Sequence, residues 1–230
     1  MCRMFAYTGT SRKDLSALYR SLKKAAKHDE MLVWEKEENK KQHKDGWGCV
    51  IFAEGELFHY RTHRAIFEDK DLELPNFSGK AYAIFHARKA SDADLKASPI
   101  FSHPFVAETG HELLFLAHNG GMEDQKAVPE NMVDSELALR MIAERGGLEP
   151  ALDGLEAMKW TALNLLLLKI DRSTHQAKIE CLNRWYADGA DKAAYYKLYH
   201  KALSGGKAVF SSTLNKKLHG EECGNGVFDL

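Results

Sequence analysis

The chain has 230 residues, 44% of them hydrophobic and 10% aromatic, enough apolar material for the packed core of one large domain. Its 32 Lys and Arg almost balance 33 Asp and Glu, a formal net charge of -1, so the basic excess typical of nucleic-acid binders is missing. The longest apolar run, 165–168 with its flanks, falls far below the roughly 18 residues of a membrane-spanning helix, and the start MCRMFAYTG has no signal-peptide core.

Taken in chain order, residues 3–7 read as a short strand and 14–27 as a helix, with Leu15, Leu18 and Leu22 on one face. The mixed-sign run 35–44 reads as a solvated loop or helix edge. It ends in HKDGWG (43–48), after which 49–52 and 57–61 flank Ala53-Glu54-Gly55-Glu56 as a hairpin. A third apolar run, 81–85, leads into HARKAS; a fourth, 113–117, leads into HNGG, which reads as a strand end. Residues 135–144 read as a helix capped by Asp134 or Ser135 and stopped at Gly146-Gly147. A second helix at 152–160 precedes strands at 163–170 and 178–185 around the turn 172–176; strands at 208–212 and 226–229 close the chain. Short turns between strands, with helices grouped in blocks, predict layered antiparallel sheets with helices outside. No repeat or linker divides the sequence, which predicts one domain over 2–230.

The cysteines, Cys2, Cys49, Cys181 and Cys223, form no C-x-x-C pair, so neither a zinc site nor a dense disulfide framework is expected. No metal or cofactor is expected, and a reducing, cytoplasmic setting is. Cys2 differs from the other three. A small residue at position 2 favours removal of Met1, and the new terminus would carry a thiol and an α-amine together. Their pKa values, about 8.5 and about 7.7–8.0, let the amine take the thiol proton near neutral pH. Taken alone, Cys2 reads as an ordinary buried thiol.

Other segments supply what amide cleavage by such a thiol requires. His118-Asn119-Gly120-Gly121 offers a side-chain amide and a closely approachable backbone N–H for an oxyanion, although Asn-Gly is also a hairpin signal. Arg88 in HARKAS can grip a carboxylate bidentately or serve in a surface ion pair. Asp134 in VDSE can receive an ammonium group, cap a helix, or do both.

In this order MCRMFAY, HKDGWG, HARKAS, SHPF (102–105), AHNGG (117–121) and VDSE (133–136) closely resemble the class II glutamine amidotransferases, especially stand-alone members that begin Met-Cys-Arg or Met-Cys-Glu. The strands containing Asn164 and VFSS look similar, with less specificity. The resemblance implies an N-terminal nucleophile (Ntn) hydrolase fold, α+β, a four-layer αββα sandwich of two antiparallel sheets between helices. It further implies Cys2 as nucleophile and its freed amine as base, with Asn119 and Gly120 as the oxyanion hole. Arg88, with Ser91 nearby, would hold the glutamine α-carboxylate, Asp134 the α-ammonium, and His118 would border the substrate. His43, Asp45, Gly46 and Trp47 would shape a loop beside the pocket. His86, His103 and His118 are read as structural, since the amine already supplies the base. Val133 departs from the small polar residue frequent at its position, without touching Asp134.

The implied activity is hydrolysis of L-glutamine to glutamate and ammonia through a Cys2 thioester. No synthetase or phosphate-binding segment follows, so any ammonia acceptor is expected to be a separate subunit. Two other readings stand beside it: hydrolysis of the γ-glutamyl amide of a conjugated metabolite, and a non-catalytic glutamine-binding subunit. With Met1 attached, the Cys2 nitrogen is an amide and no base, and that form is expected to be inactive.

Overall fold

A computed structural model describes residues 1–70, 72–90, 98–130 and 132–230. Its strands are β1 (Arg3–Gly9), β2 (Trp47–Ala53), β3 (Glu56–Thr62), β4 (Ala81–Ala87), β5 (Phe105–Glu108), β6 (Glu112–Met122), β7 (Trp160–Asp171), β8 (Ala177–Asn183), β9 (Leu198–Leu203), β10 (Gly206–Ser211), β11 (Glu221–Glu222) and β12 (Gly226–Asp229). The α-helices are α1 (Arg12–Lys27), α2 (Asp134–Arg145), α3 (Leu148–Glu156), α4 (Ala190–Tyr196) and α5 (Ser212–Leu218).

A seven-stranded sheet runs β11-β9-β10-β1-β4-β2-β3, and a five-stranded sheet runs β12-β8-β7-β6-β5. Every pairing in both is antiparallel. Side-chain alternation builds the layers, because successive residues of a strand face opposite ways. On β1, Phe5 and Tyr7 join Leu15, Leu18 and Leu22 of α1, while Met4 and Ala6 enter a core between the sheets with Phe115, Ala117, Leu166 and Leu168. On β6 and β7 the other parity, Leu114, Leu116, Leu165 and Leu167, packs on Ala138, Leu139 and Ile142 of α2 and Leu155 of α3. The layers therefore run helix, sheet, sheet, helix, with apolar cores at all three interfaces. Each buried Leu in them contributes about 1.5–3 kcal/mol. No helix among the described residues is long and apolar enough to cross a membrane.

The helix α1 starts at Arg12, two residues before the expected 14, because Ser11 caps it by accepting a hydrogen bond from Asp14 N at 3.1 Å. The β2–β3 turn puts Glu54 at φ 55° and Gly55 at φ 82°, the left-handed pair of a tight hairpin.

Four expectations shift. The HNGG segment lies inside β6, with an irregularity in pairing between Gly120 and Met122, so the glycines bend the strand and do not end it. The second helix is Leu148–Glu156, leaving Trp160 to open β7. The helix α2 starts at Asp134 after Val133, and Asp134 Oδ1 accepts from Ser135 N at 2.7 Å. Strands β5, β9 and β11 and helices α4 and α5 are additions to the predicted elements.

Candidate active site

Alternation also delivers the polar residues. The even-numbered face of β1 that carries Met4 and Ala6 points inward, and continuing it one step back brings Cys2 to the end of the inter-sheet layer. His86 on β4, directly across from Met4, has the parity of Ile84. Asn119 on β6 has the parity of Phe115 and Ala117, and its cross-strand partner Asn164 that of Leu166 and Leu168. At this end the inter-sheet core changes from apolar to polar.

Cys2 is buried, and its backbone nitrogen donates to Asn119 Oδ1 at 2.8 Å. Met1 makes that nitrogen an amide donor, so the carbonyl end of the Asn119 side chain must face it. The other end, Nδ2, is buried and meets no acceptor among the described residues. Such orphaned donors are rare, and each calls for a physical reason. Asn164, by contrast, is fully engaged: Nδ2 donates to Tyr196 O, and Oδ1 accepts from Arg184 N at 3.1 Å.

Gly120 follows Asn119 because nothing larger fits: a Cβ there would lie 1.9 Å from Ala162 O. His118 faces the helical side. Its Nε2 donates to Ala162 O at 3.0 Å, which leaves Nδ1 to accept from the Ser135 hydroxyl at 2.9 Å. Burial lowers the His118 pKa against the pull of Asp134, in keeping with this neutral tautomer.

A cavity of about 480 Å³ is lined by Cys2, Arg88, His118, Gly120 and Asp134 together with Met1. Arg88 is buried, and its Nη1 donates to Asp45 O at 3.1 Å. The Asp134 carboxylate is fixed by the N–H groups of Met122, at 2.8 Å, and Ser135. Its remaining lone pairs suit an ammonium ligand. Ser91 lies outside the described residues.

His43, Asp45, Gly46 and Trp47 do not line this cavity; they act from behind it. Asp45 Oδ2 accepts from Ala90 N at 2.9 Å, and the backbones of Asp45, Gly46 and Arg88 are joined by two hydrogen bonds, so this loop holds the Arg88 loop. Gly46 has φ 125°, and a Cβ would meet Ser102 Oγ at 2.3 Å, which explains a glycine where SHPF packs. Trp47 is fully buried in the α1-side core and donates to Asp69 Oδ2 at 3.0 Å.

The odd face of β1 carries a buried ionic cluster. Arg3 Nε donates to Asp29 Oδ2 at 2.5 Å, His43 Nε2 to the same oxygen at 2.7 Å, and Thr213 Oγ1 to Oδ1. Burial opposes ionisation of Asp29, but the Arg3 guanidinium and His43 hold its carboxyl far below the usual carboxylate range. Burial outweighs Asp29 at His43 and lowers its pKa, so the imidazole is neutral and donates from Nε2. The Arg3 guanidinium also lies 3.6 Å from the ring centre of Tyr195, whose hydroxyl donates to Cys2 O at 3.4 Å. The cluster thus ties the start of β1 to the loop after α1 and to α4 and α5.

Burial alone would raise the Cys2 thiol pKa, yet in the chain that carries Met1 the Met1 ammonium, His86 and the N–H of Lys89 bring it well below the ordinary value. The influence of His86 on Cys2, like the Arg3–Asp29 pair, is absent from the sequence reading. The parity of His86 with Ile84 was its available signal. Asp29 had none, since its partner is 26 residues away. His103, its ring 4.1 Å from that of His86, is kept uncharged by burial and by the nearby His86, His118 and Arg88. Among the described residues no His, Cys, Asp and Glu group has the arrangement of a metal site.

No protein-family model matches the sequence, and no curated protein does either. Solved structures do. A glutamine phosphoribosylpyrophosphate amidotransferase from B. subtilis, in complex with ADP and GMP, is 16% identical and superposes with a TM-score of 0.60 over 100% of this chain and 49% of its own. A structure described as the allosteric regulatory enzyme of purine biosynthesis is 15% identical, with a TM-score of 0.62 over 96% of this chain and 44% of its own. The chain spans about half the length of these structures, 49% and 44%. At this identity the likeness is one of fold: an α+β, Ntn-hydrolase-like architecture.

Proposed function

We propose that the chain, as a single domain over residues 2–230, hydrolyses the side-chain amide of glutamine or of a γ-glutamyl compound, with Cys2 as nucleophile after loss of Met1. The observation that carries this reading is the Cys2–Asn119 contact at 2.8 Å, with the orphaned Nδ2 of Asn119 and a cavity flanked by Arg88 and Asp134.

Arg88 takes the substrate α-carboxylate and Asp134 the α-ammonium, fixing the amide carbon beside Sγ; such positioning can supply several kcal/mol of the barrier, up to about 7–11. Once Met1 is gone, the Cys2 nitrogen is an amine. Its hydrogen bond to Asn119 Oδ1 persists and orients the lone pair that accepts the thiol proton. Sulfur attacks the carbonyl carbon, and Asn119 Nδ2 with the Gly120 N–H receives the negative oxygen. The α-ammonium returns its proton to the leaving nitrogen as the C–N bond breaks. Water, deprotonated by the same amine, then cleaves the thioester to release glutamate and regenerate the thiol. Ammonia released from glutamine would pass to a separate acceptor enzyme.

The test is intact mass together with turnover. Protein lacking Met1 is expected to hydrolyse glutamine or a γ-glutamyl amide and to take up one equivalent of a glutamine-analogue electrophile, with Cys2→Ser abolishing both. Equal turnover by protein that retains Met1 would remove the amine from the mechanism. Binding without turnover or adduct would leave a glutamine-binding subunit.

A further inference from the structure

The side chain of Met1 reports on space that the mature enzyme would leave open. Met1, Met31, Trp34, Trp185 and Ala187 pack against the buried residues Leu32, Ala162, Tyr195 and Tyr196, a cluster separate from the three interlayer cores. Trp34 meets Tyr195 edge-on, with ring centres 5.2 Å apart. Met1, Trp34, Ala187 and Tyr196 also line the same cavity as Cys2, Arg88 and Asp134. One cavity thus joins a charged clamp and an apolar, aromatic recess, with the Cys2 nitrogen at the root of Met1.

We propose that the recess filled by Met1 is the leaving-group subsite, and that it selects γ-glutamyl amides whose amine bears an aromatic or long aliphatic group. The inference rests on the hydrolase reading above. In that mechanism the Cys2 nitrogen hands its proton to the leaving nitrogen, which must come within about 2.6–3.2 Å of it. Whatever the leaving nitrogen carries must then extend into space next to the Cys2 nitrogen, and Met1 occupies such space. Ammonia needs no apolar walls there. An apolar amine gains by burial against Trp34, Tyr196 and Ala187, as the thioether side chain of Met1 does. The cavity, about 480 Å³ with Met1 in it, already falls within the 300–1,000 Å³ typical of sites for ligands much larger than a free amino acid. Loss of Met1 enlarges it. The reaction balances as hydrolysis: the γ-glutamyl C–N bond breaks as a C–S bond forms, the C–S bond then breaks as water forms a C–O bond and restores the thiol, and the amine leaves with one proton supplied in the end by water.

The experiment compares kcat/KM of Met1-free protein for glutamine, γ-glutamyl methylamide and γ-glutamyl phenethylamide. The phenethylamide is expected to exceed the methylamide at least about tenfold, the factor that burying a few methylene equivalents supplies. Trp34→Ala, which strips one wall, and Ala187→Leu, which narrows the recess, are each expected to reduce that ratio by about tenfold. Turnover of glutamine with no preference for the phenethylamide would overturn the subsite while leaving the hydrolase intact. A ratio unchanged in both variants would overturn it equally. Turnover of none of the three would overturn the hydrolase reading and this one with it.

Discussion

The two faces of β1 at its start present two kinds of buried polarity. On one face, Arg3, His43 and Thr213 form a closed set around the Asp29 carboxylate, both of whose oxygens accept hydrogen bonds, while His43 Nδ1 meets no partner among the described residues. On the other, Cys2 meets Asn119, whose NH₂ group has no acceptor among the described residues. Satisfied charges hold the chain; the unsatisfied donor is left for something else to fill. Asn119 and Asn164 repeat the contrast at closer range, since they face each other across β6 and β7 and only Asn164 has both ends of its amide engaged. Burial and residue type are the same, so the difference lies in the partners alone.

The largest expected effect comes from breaking the closed set. Asp29→Asn removes the charge that compensates Arg3 inside the protein, and losing one partner of a buried pair typically destabilises by about 3–5 kcal/mol. Denaturant melts of the variant are expected to show a loss of that size; a loss under about 1 kcal/mol would mean the cluster is not what anchors the chain start.

Next is the open side. Asn119→Ala is expected to lower kcat by about 100- to 1,000-fold, or about 2.7–4 kcal/mol of transition-state stabilisation, with only a small loss of stability, because the Cys2 nitrogen loses its acceptor while an orphaned donor disappears. Parent-like kinetics would overturn the oxyanion role proposed for Asn119. The matched substitution Asn164→Ala leaves Tyr196 O and Arg184 N without their partner and is expected to cost about 1–3 kcal/mol of stability. If the two variants behaved alike, partner count would not distinguish anchor from active group here.

The strands are legible in the sequence as the apolar runs 3–7, 81–85, 113–117 and 163–170, but these runs are apolar on both faces, so the side taken by Cys2, His86, Asn119 and Asn164 is set by packing between the layers. HNGG was misleading as structure, because Asn-Gly-Gly signals a turn locally, while pairing with β7 holds it extended. The elements that escaped are those set by tertiary context. In β9, Leu198–Leu203 directly follows the tyrosine pair of α4 with no Gly or Pro between, and α5 starts immediately where β10 ends. The anchor escaped for a different reason: a buried salt bridge between Arg3 and Asp29 has no local pattern, only a distance in space.

The smallest expected effect concerns pH, and it sets the histidines of both faces against the carboxylate. His43, His103 and His118 are buried with pKa values lowered in the folded chain, burial being the first cause in each. The unfolded chain, with His pKa near 6.5, therefore takes up protons first as the pH falls. Their contribution to stability is full above about pH 6.5 and declines below it. Asp29 is also depressed, so its contribution declines in the same direction but only below about 3.9, the unfolded value. Stability should accordingly fall in two stages on acidification. His103→Gln, which removes an imidazole with no partner for either ring nitrogen among the described residues, should flatten the upper stage and leave the lower one. Asp29→Asn should remove the lower stage and, because the Asp29 charge raises the His43 pKa, deepen the upper one. Denaturant midpoints at pH 7.5, 5.5 and 3.5, spanning about 6.5 and about 3.9, separate the two. A single stage lost entirely in Asp29→Asn would mean that the ionic cluster alone, and not the buried imidazoles, governs how acid opens this fold.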